Sequence, residues 1–301
     1  MLKDNILIKG TTQLLGVIGD PITHSLSPII HNTAIRHLGL DYAYVPFRVG
    51  GEDLSTAVAG LAAIGVVGFN VTIPHKQAIV PLLRDISPFA EGVGAVNTVW
   101  RQKDGWSGTN TDVEGFLAPL IDFIPTDTWR QRRVLVLGCG GAARSVVVGC
   151  SQLGCSSLVV FGRNKSKLEA FYGSWLNSPL KNTLSQVLSI HPWQQLMNYL
   201  PTVDLIVNTT PIGMHPISDT SPLGEQEMDL IASHAVVYDL IYTPSPTKLL
   251  RQAQLRGLVI IDGQEMLIHQ GAAAFKIWTR QSPPIEVMRM ALKTTINPQS
   301  V

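Results

Sequence analysis

The 301-residue chain predicts an α/β protein of two units, the second of them doubly wound. Three observations carry this. Short apolar segments alternate with helical stretches along most of the length. One of them, Arg133–Leu137, runs straight into Gly138-Cys139-Gly140-Gly141-Ala142-Ala143-Arg144, a glycine-rich strand-to-helix junction. The composition, 45% apolar and 15% charged, belongs to a chain that builds a core rather than to a disordered one.

The elements follow in order. Leu14–Gly19 is a buried strand that ends in a turn at Asp20-Pro21. A helix starts at Ser27-Pro28, where proline suits the first turn, and stops at Gly39. Tyr42–Phe47 alternates as a strand, Leu54–Ala63 is helical, and Gly68–Thr72 is a strand again. A parallel or mixed sheet covered by helices is expected for this first part, residues 1–112. The second part, 113–262, has strands at Arg133–Leu137, Ser157–Phe161, Val203–Asn208, Ala235–Asp239 and Leu258–Asp262. That is a doubly wound pattern. Ser174–Pro201 reads as loops and a helix. Residues 263–301 read as one or two helices, with Met266–Trp278 at helical spacing, in a position to pack back on the first part. Glycine-bearing stretches at Asp112–Gly115 and Asp262-Gly263 read as hinges.

Charge and cysteine content exclude several classes. With 23 basic and 22 acidic side chains the formal net charge is +1, so no nucleic-acid or membrane footprint is expected. Cys139, Cys150 and Cys155 have no Cys-x-x-Cys spacing and fit a reducing, cytoplasmic setting. Met1–Gly10 carries Lys3, Asp4 and Lys9 and does not read as a leader. No apolar run reaches the length of a membrane span. His24 and His75 have no metal-ligand spacing, and no metal is expected. Cys139 reads as a small side chain in the loop rather than a nucleophile. Phe275 and Trp278 read as core.

Gly138, Gly140 and Ala143 match the dinucleotide pattern in the context that gives it meaning, after a strand and before a helix. The first glycine allows the tight turn, the second lets backbone approach a pyrophosphate, and the small third residue lets helix and strand pack closely. An NAD site wants an acid near the end of the next strand to hold the ribose hydroxyls. This chain has Gly162-Arg163-Asn164-Lys165-Ser166-Lys167 there, with no acid before Glu169. Arg163 offers a fork of donors to a 2′-phosphate and Lys167 adds charge, which favours NADP.

A second set of residues points to a polyhydroxylated ligand. Ser25 and Ser27 flank a helix start, where hydroxyls and free N–H groups suit a carboxylate. On these residues alone, simple N-capping by Ser27 is the preferred reading. Asn70-Val71-Thr72-Ile73-Pro74-His75-Lys76, Gly94-Ala95-Val96-Asn97-Thr98 and Gly108-Thr109-Asn110-Thr111-Asp112 place amide, hydroxyl, ammonium and carboxylate groups at successive strand ends. Four converging polar groups need partners.

With these motifs, together with Asn208-Thr209-Thr210-Pro211-Ile212-Gly213-Met214, Tyr238-Asp239-Leu240-Ile241-Tyr242-Thr243-Pro244 and Gln270-Gly271-Ala272, the chain resembles the shikimate dehydrogenase family in order from about residue 14 to 280. The resemblance implies an N-terminal α/β substrate domain, a Rossmann NADP-binding domain and a C-terminal helix that returns to the first domain. It implies reversible, NADP-dependent reduction of 3-dehydroshikimate to shikimate, on the way to chorismate and the aromatic amino acids. Ser25 and Ser27 then match the hydroxyls on the substrate carboxylate, with Tyr242 assisting. Asn70, Thr72, Asn97 and Gln270 match positions contacting the ring, and Lys76 and Asp112 the catalytic pair. Gly138, Cys139, Gly140, Gly141 and Ala142 match the phosphate loop, Arg163 and Lys167 the 2′-phosphate clamp. Thr209, Met214 and Gly263 match further cofactor positions. Where the family often has Asn-Arg-Thr at the basic turn, this chain has Gly162-Arg163-Asn164. The alternatives are a quinate/shikimate dehydrogenase of broader substrate or NAD use, and a non-catalytic NADP-sensing module. The expected partners are small molecules, with a homodimer left open.

Overall fold

The computed structural model describes residues 8–123 and 125–296. The reading of the first residues as no leader, and the last residues of the C-terminal segment, lie wholly or partly outside them. The chain divides into two units: one holds the described residues up to Asp112 and from Ile268 on, the other Val113–Leu267.

In the first unit β1 (Gln13–Gly19), α1 (Ser27–His37), β2 (Tyr42–Arg48), α2 (Leu54–Ala63) and β3 (Gly68–Val71) alternate. Then follow β4 (Asp85–Ile86), α3 (Pro88–Val93), β5 (Thr98–Gln102) and β6 (Gly105–Thr109). The sheet order is β2-β1-β3-β5-β6-β4. β1 runs parallel to β2 and β3, but β5 is antiparallel to both β3 and β6, with Asn70 opposite Thr98 and Thr98 opposite Thr109. One face buries Ile18, Phe69, Val71, Val99 and Trp106 against Leu54, Val58 and Leu61 of α2. That is the period-2 strand pattern meeting a helical stripe.

The chain enters the second unit within α4 (Asp112–Phe123), so the stretch read as a hinge at Asp112–Gly115 is the first turn of a helix. The unit continues through β7 (Arg133–Leu137), α5 (Gly141–Leu153), β8 (Ser157–Gly162), α6 (Lys165–Gly173), α7 (Lys181–Val187) and β9 (Leu188–Pro192). Next come β10 (Leu205–Asn208), α8 (Glu225–Asp229), β11 (Val236–Asp239), α9 (Lys248–Leu255) and β12 (Val259–Ile261). All neighbours are parallel and the order is β12-β11-β10-β7-β8-β9, the dinucleotide-fold arrangement with its switch point between β7 and β10. Leu135, Leu137, Phe161, Ile206 and Val237 pack on Leu249, Leu250 and Ala253 of α9. β9 corrects the reading of Ser174–Pro201 as loops and a helix. It is an edge strand, half exposed and closed by Pro192, so it lacks the apolar run of a central strand.

The chain leaves this unit within α10 (Gln264–Thr279), and α11 (Ile285–Ile296) packs on α1. Phe275 and Trp278 are buried, as read, and the Trp278 indole donates to Val99 O at 2.9 Å. Among the described residues no helix is long and apolar enough to cross a membrane, and no group of three or more His, Cys, Asp and Glu is placed to hold a metal ion.

His31 is fully buried on α1, stacked on Tyr44 at 4.3 Å and flanked by Phe275 and Trp278. Among the described residues neither ring nitrogen has a hydrogen-bond partner, and burial lowers its pKa from 6.5 to about 3. The unfolded chain therefore takes up this proton below pH 6.5, while the folded chain resists it to about pH 3. Stability is expected to fall as pH drops through that window, with a slope of up to about 1.4 kcal/mol per pH unit from this group. In urea titrations from pH 7 to pH 4, His31→Phe should show a flatter acid side than the parent. An equal slope in both proteins would remove His31 from the acid response.

Candidate active site

The reversal of β5 decides the geometry of the first unit. Asn97 stands just before β5, at the start of a strand and not at the end of one. Because β5 runs against β3 and β6, its start lies at the same sheet edge as the ends of those two strands. Asn70, Lys76, Asn97 and Asp112 thus reach one edge from three elements.

There they form one hydrogen-bonded network. Lys76 Nζ donates to Asp112 Oδ2 at 2.5 Å, with the ammonium side chain 17% and the carboxylate 6% exposed. This is a largely desolvated ion pair. Asn97 Nδ2 donates to Asp112 Oδ1 at 2.7 Å and to Thr111 Oγ1 at 3.0 Å, and reaches Gln270 Oε1 at 3.4 Å. Asn97 Oδ1 accepts from Thr111 N at 2.8 Å and from Thr98 Oγ1 at 3.0 Å. Both ends of this amide are committed, so its flip state is fixed. Asn70 Nδ2 donates to Asn97 O and Thr98 Oγ1, while Tyr44 Oη donates to Asn70 Oδ1 at 2.7 Å. Asn110 Oδ1 accepts from Asp112 N, pinning the backbone that carries the carboxylate. Lys76 is held from behind. His75 is buried with Nε2 2.7 Å from Val49 O, and Lys76 O accepts from Val96 N.

Tyr44, Thr98 and Thr111 belong to this network but were not among the residues expected to act. A signal existed for Tyr44. It points inward on an alternating strand, and a buried phenol needs a partner. Thr98 and Thr111 were indistinguishable from turn residues. Thr72 is half-buried in the loop after β3.

At the start of α1, plain capping by Ser27 is corrected. The N-cap is Leu26, without a side-chain hydrogen bond, and Ser27 is the first helical residue. Ser25 Oγ accepts from Ser27 N at 3.4 Å, and neither hydroxyl donates to another protein group among the described residues.

In the second unit the end of β7 and the start of α5 make the glycine-rich turn. Gly138 has φ +104°, which a side chain would strain, and a Cβ there would lie 2.7 Å from Thr209 Oγ1. Thr209 itself is locked, donating to Leu137 O at 2.7 Å. Gly140 is the N-cap of α5 with no side-chain cap, and a Cβ on it would meet nothing within 4 Å. The space beside Gly140 is open, which is what a backbone that a pyrophosphate approaches closely requires. Gly141 and Ala142 open that helix. Beyond β8, Arg163 and Lys167 are exposed and form no ion pair among the described residues. Asn164 caps α6, its Oδ1 accepting from Lys167 N at 2.9 Å. The departure at Gly162 has a steric counterpart, since a Cβ there would lie 3.3 Å from Cys139 Sγ. Burial raises the Cys139 thiol pKa, with Lys167 acting against it. Met214 lies in the turn after β10, Tyr242 follows β11, and Gly263 N donates to Ile241 O at 3.2 Å. These residues fit NADP by their donor set: an uncapped helix start at Gly140 and, after the next strand, two cations without an ion pair among the described residues.

Comparison with known proteins agrees in kind. Residues 17–99 match the shikimate dehydrogenase substrate binding domain, and residues 263–293 the shikimate 5′-dehydrogenase C-terminal domain. The shikimate dehydrogenase (NADP(+)) of Gloeothece citriformis (strain PCC 7424) is 55% identical over 97% of this chain and 99% of its own. The crystal structure of a shikimate dehydrogenase in complex with NADP+ superposes with a TM-score of 0.85 at 38% identity, covering 97% of this chain and 98% of that one. The shikimate 5-dehydrogenase of Thermus thermophilus, in complex with NADP(H) and shikimate, gives 0.80 at 31% identity over 94% and 99%. An α/β chain of two units with a dinucleotide-fold sheet, a polar cluster at one sheet edge and relatives this close belongs to the shikimate dehydrogenase family.

Proposed function

We propose that this chain catalyses the NADP-dependent, reversible reduction of 3-dehydroshikimate to shikimate, a step of aromatic amino-acid biosynthesis. The observation that carries the reading is the Lys76–Asp112 pair at 2.5 Å, oriented by Asn97 at the edge of the first sheet. Reducing a ketone leaves negative charge on oxygen, which needs a proton donor beside it. Lys76 supplies that proton from a charge-assisted hydrogen bond with Asp112, and in the reverse direction the pair takes the hydroxyl proton. Bound NADPH supplies the hydride. Ser25 and Ser27 hold the substrate carboxylate, with Tyr242 assisting. Asn70, Thr72, Asn97 and Gln270 surround the ring hydroxyls. The loop from Gly138 to Ala142 holds the pyrophosphate, and Arg163 with Lys167 holds the 2′-phosphate. Met214 and Gly263 flank the nicotinamide, with Thr209 bracing the loop.

The three free cysteines and the biosynthetic role support a cytoplasmic enzyme. It acts on small molecules and not on nucleic acid; a homodimer is compatible with this reading.

The direct test follows reduced-cofactor absorbance with purified protein, crossing shikimate and quinate with NADP+ and NAD+. Fast turnover only with shikimate and NADP+ is expected. Comparable rates with quinate or NAD+ would assign the chain to a broader specificity and demote Arg163. Lys76→Ala should lower kcat by about 10²–10⁴-fold, with KM for shikimate changed far less. A variant with near-parental kcat would remove Lys76 from proton transfer. Arg163→Ala should raise KM for NADP+ by about tenfold, the loss of one charge-assisted contact, and leave KM for shikimate unchanged. Unaltered NADP+ affinity would refute the clamp.

A further inference from the structure

The second unit contains a buried carboxylate that the reaction scheme does not use. Asp239 closes β11 and is fully buried. Its Oδ1 accepts from Asn208 Nδ2 at 3.0 Å and from Ile241 N at 3.1 Å, and its Oδ2 from Thr247 Oγ1 at 2.7 Å. Asn208 closes the neighbouring strand β10. Its Oδ1 accepts from Thr210 N at 3.0 Å and from Thr210 Oγ1 at 2.7 Å, and its amide reaches Ile212 O at 3.4 Å. The arrangement repeats the one around Asp112. In both, an asparagine donates to the carboxylate and accepts a threonine backbone N–H and hydroxyl. Asp112 has Lys76 as its cation. The hydrogen-bond partners of Asp239 named above are all neutral, and the nearby Asp262 adds like charge, so burial pushes its pKa up to about 6. A carboxylate kept at that cost, gripping two loops, calls for a role.

Resting on the proposed reaction, we infer that Asp239 is a positioning residue: through Asn208, Ile241 and Thr247 it fixes the loops after β10 and β11 that carry Met214 and Tyr242. The first loop is held at Thr210 and Ile212, ahead of Met214. The second is held at Ile241, directly before Tyr242, and at Thr247, where α9 begins. Asp239 touches neither cofactor nor substrate in this scheme. It sets where the two residues stand.

The test combines hydrogen exchange of the ligand-free protein with steady-state kinetics. Asp239→Ala leaves three donors without their acceptor. Exchange should quicken in residues 209–214 and 240–247 and stay unchanged in α5. kcat/KM for shikimate should fall by about 10²-fold, the size expected for misplaced groups remote from the chemistry. NADP+ affinity, read by direct titration, should fall far less than kcat/KM for shikimate, because the phosphate contacts lie at β7 and β8 and only contacts near the nicotinamide are disturbed. Asp239→Asn keeps one oxygen for Asn208 and Ile241, and its amide can donate to the Thr247 hydroxyl. It should recover the slow exchange and most of the rate. If Asp239→Ala does not fold, Asn208→Ala opens the same link from β10 and should give the same split. Unchanged exchange in both loops, or parallel losses of NADP+ affinity and kcat, would overturn the inference. A parent protein that folds but does not oxidise shikimate would instead refute the proposed reaction, and the exchange result would still decide the role of Asp239.

Discussion

Asn97 is the pivot of the first unit's chemistry. Its side chain is buried and every hydrogen-bonding position on it is committed: to Asp112, Thr111 and Gln270 as donor, to Thr111 and Thr98 as acceptor. Leaving any one of these groups unpaired would cost about 1–3 kcal/mol. Holding Asp112 Oδ1 in this way leaves Oδ2 for Lys76. Asn70 joins the network through the Asn97 backbone carbonyl and Thr98 Oγ1, and Tyr44 donates to Asn70 in turn. A mostly buried pair adds little net stability, but losing one partner strands the other. Stability and chemistry are coupled through the same few atoms.

The two sheets reach their polar edges by different routes. In the second unit parallel strands send all their C-terminal ends to one edge, and the switch between β7 and β10 opens a crevice there. The first unit has a mixed sheet. Only because β5 is reversed do its start and the ends of β3 and β6 coincide. The same asparagine–threonine–aspartate bonding then appears in both units, once with a lysine and once without. The cation separates a carboxylate that faces an ammonium from one that only holds loops in place.

Much of this was legible in the residues. The strand, glycine turn and helix at Arg133–Leu153 are contiguous, so local sterics and periodicity define them. The basic turn at Arg163 is equally local. Edge strands were less legible, since β9 mixes Leu, Ser, Ile, His and Pro and owes its state to pairing with β8. The helix at Asp112 was also obscured, because Gly115 made the stretch from Asp112 read as a hinge.

The sequence by itself determined which chemical groups are available and roughly where each lies along the chain: a lysine, an acid and amides near strand ends, and a cluster of basic residues after β8. It also determined the dinucleotide turn, whose geometry depends on neighbours a few residues away. Only the tertiary structure decided which of those groups share hydrogen bonds. Tyr44, Asn70, Asn97, Asp112 and Gln270 come from five separate places in the chain, and an amide's direction is set by the partners that reach it. A strand's reversal relative to its neighbours is likewise a property of the whole sheet. No stretch of sequence carries it alone, because the residues that register β5 against β3 and β6 meet only after all three have folded together.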